Sequence, residues 1–188
     1  MALTDKLTNI ADAIRGKTGK EELLTLDQMA TEIADIETGG TDQSVGLING
    51  TLTEYESAEV TGLRTYAFYY LSSLKKVVLP NMTNSASTNA FRSCTALELF
   101  DAPCYFFQSA AFANCGALKT LVLRKTEGVC GMANVNALTA TPFASGGTGG
   151  TVYVPGALID EYKNATNWST LYAAGTCNFV AIEGSEYE

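Results

Sequence analysis

Ala90-Phe91-Arg92-Ser93-Cys94-Thr95-Ala96-Leu97 returns as Ala111-Phe112-Ala113-Asn114-Cys115-Gly116-Ala117-Leu118. Both octets place Phe, Cys and Leu three residues apart, which predicts one inward face on a tight helical turn. Working outward, four phenylalanines set a frame: Phe68, Phe91, Phe112 and Phe143, with gaps of 23, 21 and 31 residues. Three residues after each come Leu71, Cys94, Cys115 and Gly146, and six after come Leu74, Leu97, Leu118 and Gly149. Nine after come Val77, Phe100, Leu121 and Val152; twelve after come Pro80, Pro103, Arg124 and Pro155. Five before stand Leu63, Ala86, Phe107 and Leu138, and eight before stand Val60, Thr83, Cys104 and Val135. Most columns are apolar in most rows, so the chain carries an internal repeat.

Each row reads as one coil of a solenoid. Val77-Val78-Leu79 and Leu121-Val122-Leu123 are short strands, and proline ends most of the units. A single coil cannot bury its own face, whereas stacked coils bury a continuous ladder of like residues. Cys94 and Cys115 are read as small residues at a tight point of the coil, and Cys104 also falls inward. The fourth row has lost its turn to Ser145-Gly146-Gly147-Thr148-Gly149-Gly150, and about nine extra residues around Arg124–Met132 form an inserted loop. Residues 156–188 are expected to cap the stack, with a helix at 157–162, apolar mass from Trp168 and Leu171, and a last strand at 179–182.

The N-terminal part has a different pattern. Leu3, Leu7, Ile10, Ala11 and Ile14 form one helical stripe. Thr25-Leu26-Asp27-Gln28 is a capping box that opens a second helix bearing Met29, Ile33 and Ile36. Helices of about twelve residues are marginal alone. Their stripes are covered either by the main domain or by other copies and partners. Thr38-Gly39-Gly40-Thr41-Asp42-Gln43-Ser44 reads as a flexible linker. The expected class is α+β: a helical anchor or oligomerisation segment at 1–37, a linker at 38–46, a solenoid of about four coils at 47–155 and a cap at 156–188.

Composition narrows the chemistry. The 188 residues are 46% hydrophobic and 17% charged, with no histidine and a net charge of −8. Without histidine, Ser-His-Asp and Cys-His catalysis are excluded. A pI of about 4.6 lacks the basic footprint of a nucleic-acid binder and disfavours anionic membranes. No apolar run reaches the roughly 18 residues of a membrane span. Met1–Leu7 lacks the basic and apolar regions of a signal peptide, so export by the general route is not expected. Cys94, Cys104, Cys115, Cys130 and Cys177 are odd in number and contain no CxxC, which reads as reduced, buried thiols.

No motif calls for a metal or cofactor. Gly146–Gly150 lacks the Lys-Ser/Thr of a phosphate loop and is read as a turn. Glu54, Glu56 and Glu59 are read as a solvated face, and the sequon-like triplets at Asn49, Asn81, Asn164 and Asn167 as chance. The informative side chains are aromatic. Tyr69, Tyr70, Tyr105 and Phe106 fall between inward columns and are expected to face outward or towards a neighbour. Contact between copies is the preferred reading, and a protein or sugar ligand is the alternative.

The octets at 90–97 and 111–118 resemble the BspA-like leucine-rich repeat family, whose core is AF-x-x-C-x-x-L followed by a strand. The resemblance covers about 60–155; the first unit has Leu71 for Cys, and the fourth has lost both Cys and Leu. Ile10–Gly19 with Leu24–Ile33, and Thr151–Pro155 with Tyr162–Ser169, are similar to the leading and closing segments of structural proteins in phages of gut Firmicutes. That resemblance implies a virion protein assembled in the host cytoplasm and released by lysis. It would be a fibre, spike, decoration or tail/baseplate component, held to other virion proteins by Leu3, Leu7, Ile10, Ile14, Met29, Ile33 and Ile36. A homo-oligomer, with a trimer favoured, would bind a host-surface protein or glycan. A bacterial surface adhesin fragment is the alternative, and a glycan-acting enzyme is a third reading.

Overall fold

A computed structural model describes residues 43–188 of the chain. The chain divides into two units, 1–45 and 46–188. The expected helices at 1–37, with Leu3, Leu7, Ile10, Ile14, Met29, Ile33 and Ile36, lie outside the described residues. Of the expected linker, residues 43–46 belong to helix α1 (Gln43–Asn49).

Six short strands make one parallel sheet in the order β1 (Glu54–Glu56), β2 (Lys76–Val78), β3 (Leu99–Ala102), β5 (Thr120–Leu123), β7 (Gly150–Val154), β8 (Cys177–Ala181). The register pairs Tyr55, Val77, Phe100, Leu121, Val152 and Phe179 in one unbroken row. The column nine residues after each Phe is therefore the inward row of the sheet. Its four middle members are fully buried, because strands alternate sides and this side meets the core. β1 was not expected. Its two glutamates are exposed, and its one inward residue, Tyr55, is half-buried against Phe68 with ring centroids 4.9 Å apart. Leu52, 22 residues before Leu74, is buried in the Leu column, so a partial unit precedes the first complete one.

The segments around the phenylalanines are successive turns, not the helical turns that the threefold spacing predicts. The hydrogen bonds give the reason. Tyr66, Phe68 and Tyr70 donate N–H to the carbonyls of Thr88, Ala90 and Arg92 in the next unit, at 3.3, 2.7 and 3.0 Å. Asn89, Phe91 and Ser93 donate likewise to Ser109, Ala111 and Ala113 at 3.3, 2.8 and 2.8 Å. A helix would keep these N–H groups within its own turn. Sending alternate ones onward needs left-handed residues on both sides of each Phe: Tyr66, Asn89 and Ala110 before it, Tyr70, Ser93 and Asn114 after it, all with φ between 55° and 66°.

The same bonds correct the fourth row. Phe112 and Asn114 donate to Ala137 and Thr139, both at 2.8 Å, and Ala140 has φ 53°. Leu138, not Phe143, therefore holds the Phe position. The extra length is split between the two sides of that turn rather than gathered at 124–132. Phe143 is fully buried but sits beside the glycine loop, where Gly150 leaves room for its ring. The eight-before column also breaks: Thr83 is exposed, and Met82 is buried in its stead.

A second ladder runs through Ala86, β4 (Phe106–Phe107) and β6 (Gly131–Met132). Between the two ladders lies the core. Phe68, Phe91 and Phe112 stack at 5.1 and 5.0 Å with interplanar angles of 5° and 6°. Residues 156–188 hold a 3-10 turn (Gly156–Leu158), helices α2 (Ile159–Asn164) and α3 (Trp168–Ala173), and β8. Tyr162, Trp168 and Leu171 are buried. Trp168 Nε1 donates to the Cys130 carbonyl at 2.6 Å, and the Tyr162 hydroxyl accepts from the Cys130 N–H at 2.8 Å. The two aromatics thus satisfy both backbone groups of one buried residue just before β6.

Candidate functional site: exposed aromatics on a stacked frame

The outward aromatics rest on backbone held by hydrogen bonds between units, and they separate into two places. Tyr69 and Tyr70, with Tyr66, form one cluster on the first turn. Their exposures are 40%, 64% and 56%. The rings of Tyr66 and Tyr69 meet edge to face at 5.1 Å, and those of Tyr69 and Tyr70 at 4.8 Å. Phe68, between them in sequence, points inward and is nearly fully buried. The turn therefore divides its aromatics between core and solvent, as the expected register requires.

Tyr105 and Phe106 lie at the second ladder. Tyr105 is 58% exposed, and the Lys125 ammonium stands 5.0 Å from its ring centroid. Phe106 is only half-buried, and its ring covers the face of Gly131, where a Cβ would collide with it. It contributes less free surface than Tyr105. A shallow cavity of about 440 Å³ lies beside Tyr105, lined by Thr83, Pro103, Arg124, Lys125, Thr126 and Glu127. The Arg124 guanidinium grips the buried carboxylate of Asp101 through two bonds of 2.6 and 2.9 Å. That hydrogen-bonded carboxylate raises the arginine pKa and takes up its planar donor face.

The cysteines have a role that the sequence reading missed. Cys94 Sγ donates to the Phe68 carbonyl at 2.9 Å, and Cys115 Sγ to the Phe91 carbonyl at 3.0 Å. Each thiol thus ties its turn to the unit before. Burial pushes the Cys94 thiol up to about 12 and Cys115 higher still, so both stay protonated donors at neutral pH. All five cysteines are buried and unbridged. The recurrence of Cys 21 residues apart, each three residues after a Phe, was the available signal.

The glycine loop is a turn. Gly147 N–H donates to Ala144 O at 2.8 Å and Gly149 N–H to Pro142 O at 2.9 Å, so these donors are used internally. Among the described residues, no group of three or more His, Cys, Asp or Glu is placed to hold a metal ion. No helix among them is long and apolar enough to cross a membrane.

Residues 49–130 match the model of the BspA type leucine rich repeat region, in 6 copies. No curated protein and no solved structure matches the chain. The matched part is a BspA-like leucine-rich repeat. The match ends where the fourth unit exchanges its Phe for Leu138 and takes in extra residues on both sides of the turn.

Proposed function

Taking residues 49–130 as a BspA-like repeat, we propose that the protein is a non-catalytic attachment protein carried on a phage particle. The repeats form a solenoid whose turns present aromatic side chains to a host-surface ligand. Residues 1–37 are the anchor: Leu3, Leu7, Ile10, Ile14, Met29, Ile33 and Ile36 bind other virion proteins and bring copies together, a trimer being favoured. Assembly takes place in the host cytoplasm and release is by lysis. On the particle the protein serves as a fibre, spike, decoration or tail/baseplate component.

The observation that carries this reading is the exposure of Tyr69, Tyr70 and Tyr105 on backbone held by inter-unit hydrogen bonds. Rigid, amphipathic tyrosines offer contact area at low entropic cost, which suits recognition. A bacterial surface adhesin is the second reading. It is favoured by the BspA-type match and uses the same binding surface on a different carrier.

Binding of the fluorescently labelled full chain to intact bacterial cells tests attachment. Saturable binding that drops in Y69A/Y70A and Y105A supports it. Binding by no cell type in a broad panel, or binding unchanged by both variants, refutes it.

A further inference from the structure

The cluster at Tyr66, Tyr69 and Tyr70 has a choice of residue that its fold does not require. Tyr66 and Tyr70 sit in the left-handed region, at φ 63° and 64°. This conformation is costly for a residue with a large side chain, and Asn tolerates it best. The next units place Asn89 and Ala110 at the Tyr66 position and Ser93, Asn114 and Ala140 at the Tyr70 position. Only the first complete unit puts tyrosine at both. Both rings are more than half exposed and meet Tyr69 edge to face, so burial in the core does not compensate the strain. Strain retained without burial in the core is a mark of a functional surface.

Charge indicates what that surface takes. The protein carries 20 acidic and 12 basic residues, yet Val60 to Leu97 holds Arg64, Lys75, Lys76 and Arg92 and no Asp or Glu. Arg64 begins the same turn, its carbonyl accepting from Ala67 N–H at 3.2 Å. Arg92 lies across the unit boundary, its carbonyl accepting from Tyr70 N–H at 3.0 Å. Both arginines are exposed. Apart from the rings, the exposed residues of this turn are Arg, Thr, Ser and Ala, with no large aliphatic side chain. A protein interface of ordinary affinity is centred on a desolvated apolar core. Here there are ring faces and hydrogen-bonding groups, and the backbone sets two exposed arginines beside them; Arg92 Nη1 donates to Asn89 Oδ1 at 3.3 Å and keeps further donors, in a fork that matches carboxylates.

We propose that Tyr66, Tyr69 and Tyr70, with Arg64 and Arg92, form a binding platform for an acidic polysaccharide. Sugar rings stack on the tyrosines, and their carboxylates pair with the arginines. This rests on the attachment reading above and names its ligand class.

The test is biolayer interferometry of the full chain on immobilised polygalacturonate, on neutral dextran and on poly-L-glutamate, alongside the cell-binding measurement. Polygalacturonate binding that weakens with salt and exceeds binding to both other polymers is expected. R64Q/R92Q lowers it and flattens the salt dependence. The informative variant is Y66N/Y70N, which puts the residue that best suits φ near 60° at both positions. It raises the unfolding midpoint yet weakens binding by about tenfold or more, as loss of a hot-spot contact does. A merely structural role predicts the reverse. Equal binding to dextran, stronger binding to poly-L-glutamate, or a lower mass of the Y66N/Y70N protein in light scattering overturns the proposal. The last outcome assigns the surface to contact between copies. Cell binding without polygalacturonate binding overturns the ligand class alone, and loss of both removes the attachment reading as well.

Discussion

Phe91→Ala removes the middle ring of the stack, and its cost follows from the surroundings. Phe91 is fully buried. It lies parallel to Phe68 at 5.1 Å and to Phe112 at 5.0 Å, and edge-on to Phe100 at 5.4 Å. Truncating a buried Phe to Ala costs about 3–5 kcal/mol in lost transfer energy and cavity. Each aromatic pair adds about 0.5–1.5 kcal/mol beyond area burial, so losing three pairs places Phe91 near the top of that range. The cavity cannot collapse easily, because Phe91 N–H to Ala111 O and Phe68 N–H to Ala90 O hold the neighbouring turns at fixed spacing. With a urea m-value of about 2 kcal/mol/M, a loss of 4–5 kcal/mol moves the midpoint down by about 2 M. Urea unfolding followed by far-UV circular dichroism measures it. If F91A is too unstable to purify, F91L keeps part of the volume and is expected to lose about 1–3 kcal/mol. Tyr69→Ala, on the same kind of turn but exposed, is expected to stay within about 0.5 kcal/mol of the parent. An F91A loss under about 1.5 kcal/mol, or a Y69A loss larger than that of F91A, would falsify the assigned register.

Further outcomes concern the thiols, the C-terminal region and the N-terminus. Native Cys94 and Cys115 are expected to resist a thiol reagent until urea unfolds the chain; rapid native labelling contradicts their burial. Their raised folded pKa values mean that the unfolded thiols ionise first, above about pH 9. Stability from this source is thus fully present below pH 9 and falls as pH rises towards 12, and C94A/C115A flattens the fall in pH-dependent urea midpoints. Trp168→Phe leaves the Cys130 carbonyl without its 2.6 Å donor and is expected to cost about 2–4 kcal/mol, read by thermal or urea unfolding. Deletion of residues 1–40 is expected to lower the oligomer mass in light scattering, and an unchanged mass counts against the anchor role.

The strand row was legible because burial imposes one chemical requirement at one spacing. Val77, Phe100, Leu121 and Val152 were all found in register from apolar identity alone. Tyr55 was not, because a three-residue edge strand with exposed glutamates carries one inward side chain and therefore no pattern. The fourth turn was misplaced because matching Phe to Phe favoured Phe143 over Leu138. Side-chain identity cannot reveal which carbonyl receives Phe112 N–H, and that bond defines the unit. Threefold spacing also describes a turn with alternating left-handed residues as well as a helix. Left-handed residues distinguish the two, and of the six that flank Phe68, Phe91 and Phe112 only Asn89 and Asn114 are of a type that favours that region, so the sequence marks the turn weakly. The outward direction of Tyr69, Tyr70 and Tyr105 followed from the same frame, whereas the half-burial of Phe106 depends on Gly131, which is 25 residues away. The thiol-to-carbonyl bonds were hidden because small size alone already accounted for cysteine.

The measurement that bears most directly on the proposed particle-borne attachment role is the location of the chain. Electron microscopy of purified phage particles labelled with an antibody against residues 46–188 gives that location. The account predicts label at discrete, regularly spaced positions on the particle exterior, with the repeat part outermost. Particles that contain no copy of the chain, or that hold it only inside the capsid, contradict it.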